Sequence, residues 1–243
     1  MQLTRIQKIT GKIVLKSGLH IGAGDTEMRI GGTDNPVVKD PLSGQPYIPG
    51  SSLKGKIRSL LEWRHGLVAT ANGSPYSFKH LAREEGNTAG RQLITLFGGA
   101  PDKDTEKLVG AIGPTRLAFW DCPLNADWKT TVADARNLLT TEAKSENTID
   151  RISGVAANPR FTERVIAGAE FDFTLTLKVI DAGSGEEDLL PMVLEGMKLL
   201  ELDSLGGSGS RGYGKIEFRE LAIGDAPLAL PVHPFEETPH DAR

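Results

Sequence analysis

Nine consecutive residues, 171–179, alternate apolar and polar without a break. Phe171, Phe173, Leu175, Leu177 and Val179 fall on one side, and Asp172, Thr174, Thr176 and Lys178 on the other. Successive side chains of a strand point to opposite faces, so this segment predicts a sheet with one face against a core. That face needs an apolar cover, and two stretches have the spacing to supply it. Within residues 51–64, Leu53, Ile57, Leu60 and Leu61 recur at i, i+4, i+7 and i+8, the stripe of an amphipathic helix. Leu189, Leu190, Val193, Met197 and Leu200 make a second stripe. Three further runs read as strands: residues 9–15, residues 115–121 as a short buried strand, and residues 213–221, where Ile216 and Phe218 alternate with Lys215, Glu217 and Arg219.

The order is strand, helix, strand, strand, helix, strand. It predicts an α+β domain of split βαβ, or ferredoxin-like, type spanning residues 1–243. Three long segments interrupt it. Residues 17–49 are rich in Gly and Pro and too long for a plain connection, which usually signals function. Residues 67–113 form an insertion after the first helix. Residues 123–168 separate two central strands that a short hairpin would otherwise join. Residues 224–243 read as a tail, and no internal repeat is present.

Bulk properties narrow the functional classes. Hydrophobic content of 39% and charged content of 25% are those of a soluble globular protein. No apolar run approaches the roughly 18 residues that span a bilayer, and the first residues lack the apolar block of a signal peptide. The single cysteine, Cys122, precludes an internal disulfide and fits a reducing cytoplasm. The histidines show no spacing for a structural zinc. A net charge of −4 argues against a nucleic-acid partner only if charge is evenly spread. It is not: Lys54, Lys56, Arg58 and Arg64 cluster against the lone Glu62, while carboxylates gather at residues 186–188 and at Glu236, Glu237 and Asp241. A basic face on an acidic body is expected.

Two glycine motifs resemble nucleotide-binding signatures. Gly50 to Lys56 spells G-x-x-x-x-G-K, but Ile57 stands where a P-loop needs Ser or Thr for magnesium. Its approach contains three prolines, so no strand is expected to deliver the loop. Gly207, Gly209 and Gly212 spell G-x-G-x-x-G, but here helix precedes and strand follows, the reverse of the dinucleotide order. Both segments remain suited to phosphate without a nucleotide. A helix starting near Ser51 offers free N–H groups and a partial positive charge. Lys54 and Arg58, four residues apart, are expected on one flank. Gly55 inside the helix suggests close approach by something; the alternative is a solvated basic helix with Gly55 packed on a neighbour. The loop from Gly206 through Gly207, Ser208, Gly209 and Ser210 to Arg211 combines unhindered N–H groups with an arginine; the alternative there is a flexible connection.

The element order, the glycine loop before the last strand, and "YIPGSSLKGKIRSLLE" resemble the RAMP superfamily of CRISPR RNA-binding proteins. "HIGAGDTEMRIGGTDNPVVKDP" and "SENTIDRISGVAANPRFTERVIAGAEF" are similar to segments of the backbone subunits of type III-A (Csm) effector complexes. The resemblance covers roughly residues 9–223. It implies a modified RRM-like palm with two insertions, a lid (67–113) and a thumb (123–168). It also implies an endoribonuclease: copies stack along a CRISPR guide RNA together with other effector subunits, and each cuts the paired target RNA in a reaction needing a divalent metal, magnesium. Residue by residue, it makes Asp34 in "GGTDNP" the catalytic residue. Guide-backbone contacts go to His20, Ser51, Ser52, Lys54, Lys56, Arg58 and the loop 206–211. In the thumb, Arg151, Arg160 and Arg164 are read from the sequence as candidates to steer phosphates.

The residues themselves leave more open. Asp34 before Pro reads first as a turn, His20 as a loop histidine, and the thumb arginines equally as a solvated hairpin face. Asp25, Glu27 and Asp40 share the loop of Asp34 with nothing to single one out, so the metal ligands are unassigned. Trp120 is expected in the core and Trp63 at the end of the first helix. With few aromatics free for stacking, recognition by backbone and shape is expected. A non-catalytic structural subunit that only binds RNA is the alternative.

Overall fold

The computed structural model of the chain describes residues 1–24, 35–84, 86–181, 183 and 187–235. In chain order the elements are β1 (Gln2–Leu15), β2 (Tyr47–Ile48), α1 (Gly50–Arg64), α2 (Leu67–Thr70), α3 (Phe78–Leu81), α4 (Thr88–Phe97) and α5 (Glu106–Ile112). Then follow β3 (Leu117–Phe119), β4 (Cys122–Pro123), α6 (Ala126–Trp128), β5 (Thr141–Ile149), β6 (Ala156–Val165), β7 (Glu170–Asp181), α7 (Leu190–Leu202), β8 (Ile216–Ile223) and β9 (Ala226–Pro227). The mixed α/β fold is built on one antiparallel sheet, in the order β3–β7–β1–β8–β9.

The alternating segment is the heart of that sheet. In β7, Phe171, Phe173, Leu175, Leu177 and Val179 are all buried. They lie opposite like-minded partners: Leu175 faces Ile9 and Phe171 faces Ile13 of β1, and Ile13 in turn faces Phe218 of β8. The helices α1 and α7 cover this face. Leu53, Ile57 and Leu61 of α1 and Val193, Met197 and Leu200 of α7 are sealed from solvent, while Leu60 is only partly buried at the margin. The two helices approach closely at Gly196. A Cβ there would sit 2.6 Å from Ile57 Cγ2 and 2.9 Å from Leu61 Cδ1, so any side chain would force them apart.

Several boundaries differ from expectation. β1 begins seven residues earlier than its apolar pattern, because Leu3 and Ile6 pair along β7 yet stay exposed. The 115–121 strand is reduced to Leu117–Phe119, and Trp120, expected in the core, is 57% exposed. Ala118 pairs with Thr176, and the Trp120 N–H donates to the Thr174 carbonyl, so the alternation turns Trp120 to the polar face of β7. Part of the 224–243 segment is folded: β9 extends the sheet edge, and Leu228 and Leu230 pack against the core. The 67–113 insertion holds the helices α2 to α5, and the 123–168 insertion ends in the β5–β6 hairpin. No helix among the described residues is long and apolar enough to cross a membrane.

Candidate nucleic-acid interface

Strand direction brings the long connections to one end of the sheet. There β1 ends at Leu15 opposite the first residue of β8, Ile216, and β7 starts beside Val14. β3 finishes at the same end, and α1 begins there, with Gly50 packed directly on the backbone of Phe119 and Trp120.

Four separate stretches are knotted together at this end. Gly18 O accepts from Gly214 N at 2.9 Å, and Leu19 and Val165 exchange backbone bonds of 3.0 and 2.7 Å. Gly207 N donates to His20 O at 2.9 Å. Gly206 has φ +75° and lies so close to the His20 carbonyl that a Cβ would overlap it, which makes glycine obligatory in both shape and conformation. The His20 ring meets the Glu163 carbonyl through Nδ1 at 2.7 Å. A carbonyl only accepts, so Nδ1 carries the proton, and among the described residues Nε2 has no hydrogen-bond partner.

Glu163, which sequence reasoning passed over, ties the remaining stretch. Its N–H donates to Asn35 O at 3.1 Å, and its carboxylate accepts from Val37 N at 2.9 Å and Lys39 Nζ at 2.6 Å. Burial alone pushes the carboxyl up; the bonds from Lys39 and Val37 outweigh it and hold the group below its ordinary value. The chain immediately after Asp34 is thus strapped to β6. Asp34, Asp25 and Glu27 lie outside the described residues. Asp40 is committed to its own turn, where its Oδ1 accepts from Leu42 N, Ser43 N and Ser43 Oγ. Among the described residues, no three His, Cys, Asp or Glu side chains gather as a metal site.

The start of α1 is helical from Gly50 itself, so the G-x-x-x-x-G-K run is no phosphate-wrapping loop. A two-residue strand, β2, does precede it, paired with β4 outside the main sheet. The first N–H is taken by Asp121, whose Oδ1 accepts from Gly50 N at 2.7 Å. This cap reaches the helix from 71 residues away in the sequence. Ser51 is exposed and Ser52 half-buried at the first turn. Gly55 has open space where a side chain would be, which removes the packed-glycine alternative.

Of the cations expected on this face, Lys54 has no ion pair among the described residues. Lys56 pairs with Asp203 at 2.6 Å, tying α1 to the approach of the glycine loop. Arg58, expected beside Lys54, folds back instead. Its Nε meets Glu62 at 2.8 Å, and its Nη2 donates to Tyr76 O. An i,i+4 carboxylate and a carbonyl from the next insertion outcompete solvent for a guanidinium with five donors.

The glycine loop turns through Gly209–Arg211, with Ser208 at φ 62°. Gly206, Gly207, Ser210 and Arg211 are exposed. Arg211 is not unpaired: it donates to Ser208 Oγ and its Nε meets Glu146 at 2.9 Å. In the hairpin, Arg164 pairs with Glu142 at 2.8 Å, and Arg151 donates to Ile149 O at 2.9 Å near the tip. The tip is open, with Ile152 98% exposed and Val155 62% exposed beside the Asp150–Ser153 turn.

Comparison with known proteins follows this geometry. Residues 12–217 match the model of the RAMP superfamily. A relative from Streptococcus thermophilus, the CRISPR system Cms endoribonuclease Csm3, is 42% identical over 216 residues, covering 88% of this chain and 87% of that protein. The Csm3 of Mycobacterium tuberculosis, of the same description, is 39% identical, covering 96% and 95%. A solved Csm3–Csm4 subcomplex of the type III-A CRISPR-Cas interference complex contains a similar chain at 30% identity and a TM-score of 0.53, covering 91% of this chain and 79% of that one. The chain therefore belongs to the RAMP superfamily, among the Csm3 endoribonucleases.

Proposed function

We propose that this chain is a subunit of a cytoplasmic type III-A effector that holds guide RNA by its phosphate backbone and cuts the paired target RNA, with Asp34 as the catalytic residue. The frame is read as a modified split βαβ palm, on the strength of the β3–β7–β1–β8 order and the two helices on one face. One observation carries the reading: the glycine loop, His20, the strap that follows Asp34 and the base of the β5–β6 hairpin are hydrogen-bonded into one unit. A seat for guide phosphates, a wedge and the segment that follows the candidate catalytic residue then form one unit, with further copies and other effector subunits extending the same path along the RNA.

Cleavage asks little of the protein. The 2′-oxygen attacks the adjacent phosphorus, the bond to the 5′-oxygen breaks, and the products are a cyclic phosphate and a 5′-hydroxyl. The chain has to align the strand and stabilise developing charge. Asp40 and Glu163 are engaged elsewhere; a magnesium ion held by a carboxylate of the 25–34 loop, phosphate oxygens and water would neutralise charge on the phosphate, its protein ligands unassigned among Asp25, Glu27 and Asp34.

The test is Asp34→Ala in the assembled complex. Guide binding is expected to persist while target cleavage is lost; full cleavage by this variant refutes the catalytic assignment. Wild-type complex that binds target with magnesium present yet never cuts it would favour the purely structural subunit.

A further inference from the structure

We propose that Tyr213 is a positioning residue that sets the angle at which the β5–β6 hairpin leaves the sheet, and through it where target RNA is cut. The second half of this statement rests on the reading of the chain as a target-cutting subunit; the first does not.

Tyr213 is 1% exposed and sits at the entry to β8, just after the glycine loop. Two cations of the hairpin, one from each strand, lie on its ring: Lys144 Nζ at 4.4 Å and the Arg164 guanidinium at 5.1 Å from the centroid. Such contacts are favourable and stronger when shielded from water. Arg164 also packs against Gly18, where any Cβ would overlap the guanidinium. Glu146 of β5 joins from the other side, pairing with Arg211 at 2.9 Å and Lys144 at 3.4 Å. Lys144 Nζ adds a bond to Arg211 O at 3.3 Å. Tyr213 Oη and Glu146 Oε1 are both sealed from solvent without closing a well-formed hydrogen bond. Burial, then the Glu146 carboxylate, push the Tyr213 hydroxyl up, so it stays protonated.

The hairpin's other ties sit at the base of β6, where Val165 pairs with Leu19 and Glu163 is bonded to Asn35, Val37 and Lys39, and the Tyr213 ring adds a contact to both strands. Nearly all of its side chains are exposed or half-exposed, so it has no core of its own. Its ten-residue strand β6 spans about 33 Å at ~3.3 Å per residue. A tilt of about 10° at the base would carry the tip roughly 6 Å, more than the ~3.4 Å rise per base along a duplex strand. Angular precision at Tyr213 thus decides which nucleotide the tip meets.

Spin labels on Ile152→Cys at the tip and Ser59→Cys on α1 read this angle in the full chain. Native Cys122 stays unlabelled, being buried with its thiol pushed up to about 12. The labelled but otherwise unaltered chain should give one narrow distance distribution, Tyr213→Ala a broad one, and Tyr213→Phe, which keeps the ring, a narrow one again. In the guide-loaded complex, Tyr213→Ala should spread cuts over neighbouring nucleotides with guide content unchanged, and Tyr213→Phe should restore single cut sites. A narrow distribution and unchanged cut sites in Tyr213→Ala overturn the proposal. Should that variant fail to fold, Lys144→Gln combined with Arg164→Gln must broaden the distribution, and an unchanged one is equally fatal. If the complex containing the unaltered chain cuts nothing, the proposed function falls, while the distance distribution still decides the role of Tyr213.

Discussion

Replacing Arg58 by Ala separates a structural cation from an RNA-binding one. The Arg58 and Glu62 side chains are only 17% and 10% exposed, and Glu62 also accepts from Tyr76 N at 3.1 Å. Removing one partner of a buried pair costs about 3–5 kcal/mol because the other charge is stranded. Partial exposure puts this site at the lower end, about 3 kcal/mol, and the lost bond to Tyr76 O adds about 1 kcal/mol. For a chain of this size each kcal/mol shifts the melting temperature by roughly 2–4 °C, so a fall on the order of 10 °C is expected. Lys54→Ala, which breaks no ion pair among the described residues, should leave melting unchanged. It should instead flatten the slope of log affinity for guide RNA against log salt by about 0.7, the value for one single-strand phosphate contact. Thermal melts and salt titrations of both variants, with Arg58→Met/Glu62→Leu as a control expected to recover stability, make the comparison. Unchanged melting in Arg58→Ala with a flattened salt slope would refute the reasoning and return Arg58 to the interface.

Two further outcomes are expected. The Glu163 carboxyl is held below its unfolded value, so its contribution is full above about pH 4.3 and is lost as pH falls through the lower folded value. The melting temperature should therefore drop more steeply below about pH 4 in the unaltered protein than in Glu163→Gln. Gly55→Ala should stabilise the isolated chain by about 0.5–1 kcal/mol, since open helix positions favour Ala, yet weaken guide binding if RNA backbone lies there. Stabilisation with full binding would leave that face to solvent.

What was legible in the sequence follows from periodicity. The β7 alternation and the stripes of α1 and α7 encode burial directly, because one side chain in two or in three to four must face the core. Residues 2–8 of β1 carried no such signal, since both faces are wet and the register slips between Leu3 and Arg5. Trp120 misled for a related reason: "LAFWD" is a compact apolar run, but alternation sends Ala118 and Trp120 away from Leu117 and Phe119. At the candidate interface, the residue types were readable and their partners were not. Arg58 with Tyr76, Lys56 with Asp203, Arg211 with Glu146 and Asp121 with Gly50 are meetings made by the fold between distant parts of the chain. Local spacing says nothing about them, which is also why Glu163 went unremarked within the 123–168 insertion and Tyr213 passed as an ordinary strand residue.

The bare backbone at Gly196 has a reach beyond packing. α1 carries one candidate phosphate seat at its start, and α7 leads directly into the other, the glycine loop. How near the two helices lie is set where Ile57 and Leu61 settle onto Gly196. The distance between the two candidate seats is therefore gauged from inside the core, by an atom that is missing. A methyl group added there would lie in neither seat, yet it would alter the distance between them.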